Sequence, residues 1–212
     1  MDLLIKGALV IDPKNRIHEH LDIGISHGVI TAIQPHIDPS AVPQVIDATG
    51  LVVAPGLVDM HVHLRDPGLT YKEDILSGCE AAAAGGVTSV ICMPNTKPPI
   101  DSEELISYIY GRAKDAKAMV YPPATITRGM KGQELSDFSQ LMAAGAIAVT
   151  DDGRPVENAR LMQEAMELCH ALHLPVISHC EDLSIVDGGI INKGAVSVDL
   201  GVKGMDRSSE DS

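Results

Sequence analysis

The sequence predicts an α/β chain built as a TIM-barrel-like (β/α)8 sheet, with about five of the eight units present, behind a small N-terminal β-sandwich module. Three observations carry this. Short apolar runs recur at roughly 30-residue intervals from Gly56 onward, each followed by a helical pattern, as βαβ units with right-handed parallel crossovers require. The polar residues capable of chemistry fall where those runs end, and such a barrel gathers its reactive groups at the C-terminal ends of its strands. Residues 1–53 instead alternate strand-like runs with turn formers. The domain division is therefore 1–53 for the β module and 54–212 for the partial barrel. A doubly wound open sheet fits less well, because no Gly-x-Gly-x-x-Gly follows the first parallel strand.

In the β module the strand-like runs are Leu3–Ile5, Ala8–Ile11, Leu21–Ile25, Val29–Ile33 and Gln44–Asp47, separated by turns such as Asp12-Pro13-Lys14-Asn15 and Ser26-His27-Gly28. His18 and His20 form a His-x-His, but they follow a turn in polar surroundings and are read as exposed. The first parallel strand lies between Pro55-Gly56 and Asp66-Pro67-Gly68 and ends in His61-Val62-His63-Leu64-Arg65. Strand side chains alternate faces, so His61 and His63 point the same way and Arg65 continues that face. Two imidazoles so placed can share one Zn²⁺ at about 2.0–2.1 Å each.

Thr70-Tyr71-Lys72-Glu73 has the form of a capping box opening a helix through Ile75, Leu76, Cys79 and Ala81–Ala84, with Gly85-Gly86 as its stop. Val87–Cys92 is the second strand, running into Met93-Pro94-Asn95-Thr96-Lys97-Pro98-Pro99. Ser102 caps a second helix with Leu105, Ile106, Ile109 and Ala113. The third strand starts at Ala118, is interrupted at Pro122-Pro123 and extends to Ile126-Thr127. A third helix holds Leu135, Phe138, Leu141 and Met142, and Gly145 ends it. The fourth strand, Ala146–Thr150, runs into Asp151-Asp152-Gly153. A fourth helix carries Leu161, Met162, Ala165, Met166 and Cys169, with His170 and His173 read as exposed. The fifth strand, Pro175–His179, enters Cys180-Glu181-Asp182.

Composition narrows the function classes. Of 212 residues 45% are hydrophobic but only 2% aromatic, with Phe138 the one Phe, so the core rests on aliphatic side chains and Met. A net charge of −13 argues against nucleic acid or an anionic membrane as partner, since phosphate binding needs a basic face. No leader and no apolar run near ~18 residues is visible, which predicts no membrane span. Cys79, Cys92, Cys169 and Cys180 form no Cys-x-x-Cys and are read as free buried thiols of a cytoplasmic protein. Eight barrel units typically need about 250 residues, and Asp206–Ser212 resembles the start of a further helix. The sequence is therefore read as the front part of a longer protein.

His61 and His63, Asp151 or Asp152, and His179 are the candidate metal ligands from strands one, four and five. A carboxylate can bridge two ions that share a hydroxide nucleophile. With Pro-Gly-Leu-Val-Asp-Met-His-Val-His-Leu-Arg-Asp-Pro-Gly, Met-Pro-Asn-Thr-Lys-Pro-Pro, Thr-Asp-Asp-Gly and His-Cys-Glu-Asp in that order, the whole chain resembles the bacterial class I dihydroorotases of the amidohydrolase superfamily. The resemblance implies a TIM-barrel-like metal-dependent hydrolase fold and two Zn²⁺ ions. It also implies reversible closure of N-carbamoyl-L-aspartate to (S)-dihydroorotate in pyrimidine (UMP) synthesis. It assigns His61 and His63 to the first metal, His179 to the second, Asp152 to the bridge, and Arg65 and Asn95 to the substrate carboxylate. The general acid/base Asp and a further His ligand would lie beyond residue 212, so the chain alone is expected to be inactive. Lys72, Glu73, Glu181 and Asp182 are read as caps or as groups that orient ligands. The alternatives are another cyclic amidohydrolase, such as allantoinase or dihydropyrimidinase, and a non-catalytic scaffold of aspartate carbamoyltransferase. Candidate protein partners are a second copy of the chain or that transferase.

Overall fold

Gly7 decides how the N-terminal strands assemble. Its φ of +74° interrupts the first strand without breaking it, and its N–H reaches the buried carboxylate of Asp22 at 2.7 Å. The two runs at Leu3–Ile5 and Ala8–Ile11 are therefore one strand with a bulge. The computed structural model describes residues 1–211, which fall into two compact units divided between Gly56 and Leu57.

In the first unit, β1 (Leu3–Asp12), β2 (Ile17–Ser26), β3 (Val29–Gln34), β4 (Gln44–Asp47) and β5 (Val52–Val53) form one mixed sheet. β2 lies antiparallel between β1 and β3, while β4 and β5 run parallel to the first and second halves of β1. Where the sequence predicts a sandwich, all five strands thus join a single sheet, because the bulge lets one edge of β1 serve two partners. Ala8, Val10, Leu21, Ile23 and Ala48 are its core. His18 and His20 are exposed on β2.

The second unit opens with β6 (Leu57–Val62), α1 (Ile75–Ala84), β7 (Val87–Cys92), α2 (Glu103–Arg112) and β8 (Met119–Tyr121). The strands are parallel in the order β6-β7-β8. The helix α1 is capped by Asp74, whose carboxylate accepts from the N–H groups of Leu76 and Ser77, so the expected box at Thr70–Glu73 lies one turn too early. Residues 69–72 instead close a turn, Lys72 N–H to Leu69 C=O at 2.9 Å. Ser102 caps α2 as predicted.

After β8 come α3 (Phe138–Ala143) and α4 (Ala159–Leu172). α3 starts later than predicted because Leu135 pairs antiparallel with Thr127 and Asp137 takes the cap. The fourth and fifth expected strands survive as single parallel bridges, Ala124 to Val149 and Val149 to Val176. Their direction is kept by Thr150 N–H to Ala124 C=O and Ile177 N–H to Val149 C=O, both 2.9 Å. Pro122, Pro123 and Pro175 have no N–H to contribute, which shortens the ladder. Beyond them lie α5 (Leu183–Val186), β9 (Ile191–Asn192), α6 (Ala195–Asp199) and β10 (Gly204–Met205). β9 and β10 form a small parallel pair of their own. Asp206 caps a 3-10 turn, Arg207–Glu210, where the sequence suggested a helix start; Ser212 lies outside the described residues.

The core of this unit joins Leu64, Ile75, Val90, Ile106, Phe138, Val149 and Cys169. Of the four free cysteines, Cys79, Cys92 and Cys169 are buried, and burial pushes the Cys92 thiol up to about 12. Cys180 is exposed, contrary to the expectation, because it follows the fifth parallel segment into an open loop. No helix among the described residues is long and apolar enough to cross a membrane.

Candidate metal centre

The site is built where parallel segments end. His61 is the penultimate residue of β6 and His63 the residue just past it, so alternation turns both imidazoles to one side, their ring centres 5.2 Å apart. Asp152 follows the Val149 bridge and His179 the Val176 bridge. Asp152 is buried, and three imidazoles surround its carboxylate. His61 Nε2 lies 3.2 Å from Oδ1, His63 Nε2 3.6 Å from Oδ2, and His179 Nδ1 3.5 Å from Oδ1. One donor atom each from His61, His63 and Asp152 falls within 4.8 Å of the other two. Tetrahedral zinc with ligands at about 2.0–2.2 Å needs donors roughly 3.3 Å apart, so the set fits such an ion after small side-chain movements.

The surrounding hydrogen bonds choose which atoms face the centre. Asn95 Nδ2 donates to Asp152 Oδ2 at 2.8 Å, which turns its Oδ1 toward His63 Nδ1 at 3.1 Å and Arg65 Nη1 at 3.4 Å. An amide oxygen only accepts, so His63 must carry its proton on Nδ1 and present the Nε2 lone pair to the centre. Burial first, and then the nearby Arg65 charge, lower the His63 pKa, which favours the neutral imidazole that coordinates metals. His179 is fixed from its other side: Nε2 lies 2.8 Å from Glu181 Oε2, leaving Nδ1 free toward Asp152.

Spacing alone leaves Asp151 and Asp152 open, the resemblance assigns the bridge to Asp152, and the structure gives the two carboxylates different surroundings. The Asp151 carboxylate accepts from the N–H groups of Ile126 at 2.8 Å and Thr127 at 3.2 Å, and from the Thr127 hydroxyl. It faces the third parallel segment and none of the three imidazoles. Burial pushes its carboxyl up, and these hydrogen bonds oppose the shift. Thr127 was not foreseen in this role. A threonine in a strand has ordinary β-propensity, so nothing in the sequence marked it.

Lys72 sits in the turn before α1 and Glu73 accepts from the Asp74 N–H, while Asp182 caps α5. His170 and His173 are exposed on and after α4, and neither joins the centre. Beside His179 a cavity of about 1100 Å³ opens, lined by Asp151, Met162, Met166, Ile177 and Glu181 among others. It offers room for a small organic molecule on the His179 side of the cluster, while His61 and His63 do not line it.

The family model described as dihydro-orotase-like matches residues 50–212. Among curated proteins, the chain is 51% identical over 212 residues to the dihydroorotase of Geobacter sulfurreducens and 50% identical to that of Trichlorobacter lovleyi. Each alignment takes in all of this chain and half of the relative. The chain thus spans about half the length of the curated relatives it matches. Among solved structures it is similar to the L-hydantoinase (dihydropyrimidinase) of Arthrobacter aurescens, with a TM-score of 0.76 and 22% identity, over 88% of this chain and 42% of that one. It is also similar to a D-hydantoinase, with a TM-score of 0.70 and 19% identity, over 89% and 42%. These likenesses show a TIM-barrel-like fold shared with those hydantoinases.

Proposed function

The chain belongs to the dihydroorotase-like family, and from that premise we propose that it serves the zinc-dependent interconversion of N-carbamoyl-L-aspartate and (S)-dihydroorotate in pyrimidine synthesis. The observation that carries this reading is the convergence of His61, His63 and His179 on the buried Asp152, with Arg65 joined to the same cluster through Asn95. His61 and His63 would hold one Zn²⁺, His179 a second, and Asp152 would lie between them. When bound, zinc supplies a Lewis acid that polarises the ring amide and activates water near neutral pH.

The protein's own part is orientation and charge. Asn95 keeps His63 in its coordinating tautomer, and Glu181 does the same for His179. The Arg65 guanidinium offers a planar pair of donors to the substrate carboxylate, and the Asn95 amide borders the same space. Local positive charge here is needed, because the chain as a whole carries −13. The general acid/base carboxylate and a further imidazole for the second ion are assigned outside residues 1–212. We place the protein in the cytoplasm, in keeping with its free thiols. Its protein partner is taken to be a second copy or aspartate carbamoyltransferase.

The test is turnover of dihydroorotate, dihydrouracil and allantoin by the product of the complete reading frame, with metal analysis alongside. Preference for dihydroorotate with stoichiometric zinc is expected. Preference for either other ring would shift the substrate assignment to another cyclic amide. Purification without zinc and without turnover would leave the scaffold reading.

A further inference from the structure

Directly after Arg65 the chain buries a carboxylate that the zinc chemistry does not use. Asp66 is 1% exposed, and its Oδ1 accepts a hydrogen bond from the Tyr108 hydroxyl at 2.8 Å. Its Oδ2 lies 3.6 Å from Arg112 Nε and has no hydrogen bond among the described residues. Tyr108 and Arg112 stand four residues apart on α2 and so share a helix face. A charge taken out of water in this way is costly unless it is paired, which sets Asp66 apart from the ordinary turn residue that its Asp-Pro-Gly context suggests.

The turn that Asp66 anchors needs holding. Arg65 has a φ of +57°, in the left-handed region that residues with a Cβ rarely adopt, and Gly68 has +81°. Leu69 N–H closes onto Arg65 C=O at 3.0 Å, and Lys97 N–H reaches Pro67 C=O at 3.1 Å. The turn is thus tied on one side to α2 through Asp66 and on the other to the Asn95 loop through Pro67. Between these ties, Arg65 Nη1 meets Asn95 Oδ1 at 3.4 Å.

We propose that Asp66 is a positioning residue: its buried carboxylate, held by Tyr108 and Arg112, fixes the turn that aims the Arg65 guanidinium at the carboxylate of an anionic substrate. This rests on the reading of the site given above. Asp66 touches neither substrate nor metal, so its loss acts on substrate affinity and leaves the zinc ligands in place.

The test compares Asp66→Ala, Asp66→Asn and Tyr108→Phe in the product of the complete reading frame. Asp66→Ala is expected to raise KM for dihydroorotate about tenfold, while Asp66→Asn, which keeps an acceptor for Tyr108, and Tyr108→Phe raise it about threefold. Zinc stoichiometry should match wild type and kcat should stay within about twofold. A merely structural role would lower the melting temperature and leave KM alone. KM unchanged in the folded, zinc-loaded variants overturns the proposal, as does loss of kcat with KM unchanged. Should Asp66→Ala fail to fold, the other two decide, since Tyr108→Phe removes one partly exposed hydroxyl. A second arm needs no substrate: trypsin should cleave after Arg65 several-fold faster in Tyr108→Phe than in wild type, and an unchanged rate counts against the tie. If the wild-type protein turns over no dihydroorotate, the functional reading falls, and the trypsin rates still decide whether Asp66 holds the turn.

Discussion

Asp151 and Asp152 are neighbours in the chain with opposite surroundings, and single substitutions should expose the difference. Asp152→Ala removes the carboxylate around which three imidazoles gather, so zinc and turnover should disappear together while the protein stays folded. Asp151→Ala strands two backbone N–H groups and the Thr127 hydroxyl in the interior. It should cost about 2–4 kcal/mol in urea unfolding, with zinc largely retained at low temperature. Reversal of the two phenotypes would mean the roles are exchanged. Side-chain alternation makes His61 and His63 legible as a pair from the sequence alone. It could not separate two consecutive carboxylates, because which one faces the histidines depends on how the Val149 segment registers against Ala124, a contact far away in sequence.

The helices and turns allow two further tests. The Asp74 carboxyl is held below its usual range, chiefly by the Ser77 N–H. A depressed folded-state pKa means the cap stabilises α1 above the unfolded value near 4, and this contribution is lost as pH falls through the lower folded value. Asp74→Asn, which caps without titrating, should therefore flatten the acid limb of a thermal-stability profile below about pH 4 and change little at pH 7. At Gly68 a Cβ would sit 1.9 Å from the Lys97 carbonyl oxygen. Gly68→Ala should accordingly cost about 1–3 kcal/mol and separate the Arg65 turn from the Asn95 loop, read as a lower urea midpoint and a higher KM. At this scale the sequence was legible where one signal dominated, as with Ser102 before α2 or Gly85 after α1. It misled at Thr70, where a capping pattern was present but Leu69 had already committed the chain to a turn. It also missed the β9–β10 pair, whose two-residue strands carry no periodicity.

Across the whole molecule, the parallel order of five successive segments was legible from their spacing, since a repeated βα period leaves few other topologies. The joining of the N-terminal strands into one sheet was not, because it turns on a single glycine bulge. If zinc fills the centre, it stabilises the folded state by mass action, about 2.7 kcal/mol per site at a hundredfold excess over Kd. A chelator should then lower the melting temperature of the loaded protein by several degrees in calorimetry, reversibly on adding zinc back; an unmoved transition would mean the histidine cluster holds no ion. β6 ends the three-stranded sheet and leaves Leu57, Val58 and Met60 between 61% and 65% exposed, next to an edge with no strand on it among the described residues. In the 212-residue chain taken alone, such an edge invites chain-to-chain pairing, which mutual repulsion between molecules of charge −13 should oppose. That repulsion vanishes as acid brings the chain toward its isoelectric point near 4.9. Turbidity should therefore rise sharply in that interval, and Met60→Glu, which charges this edge and lowers the isoelectric point, should delay its onset.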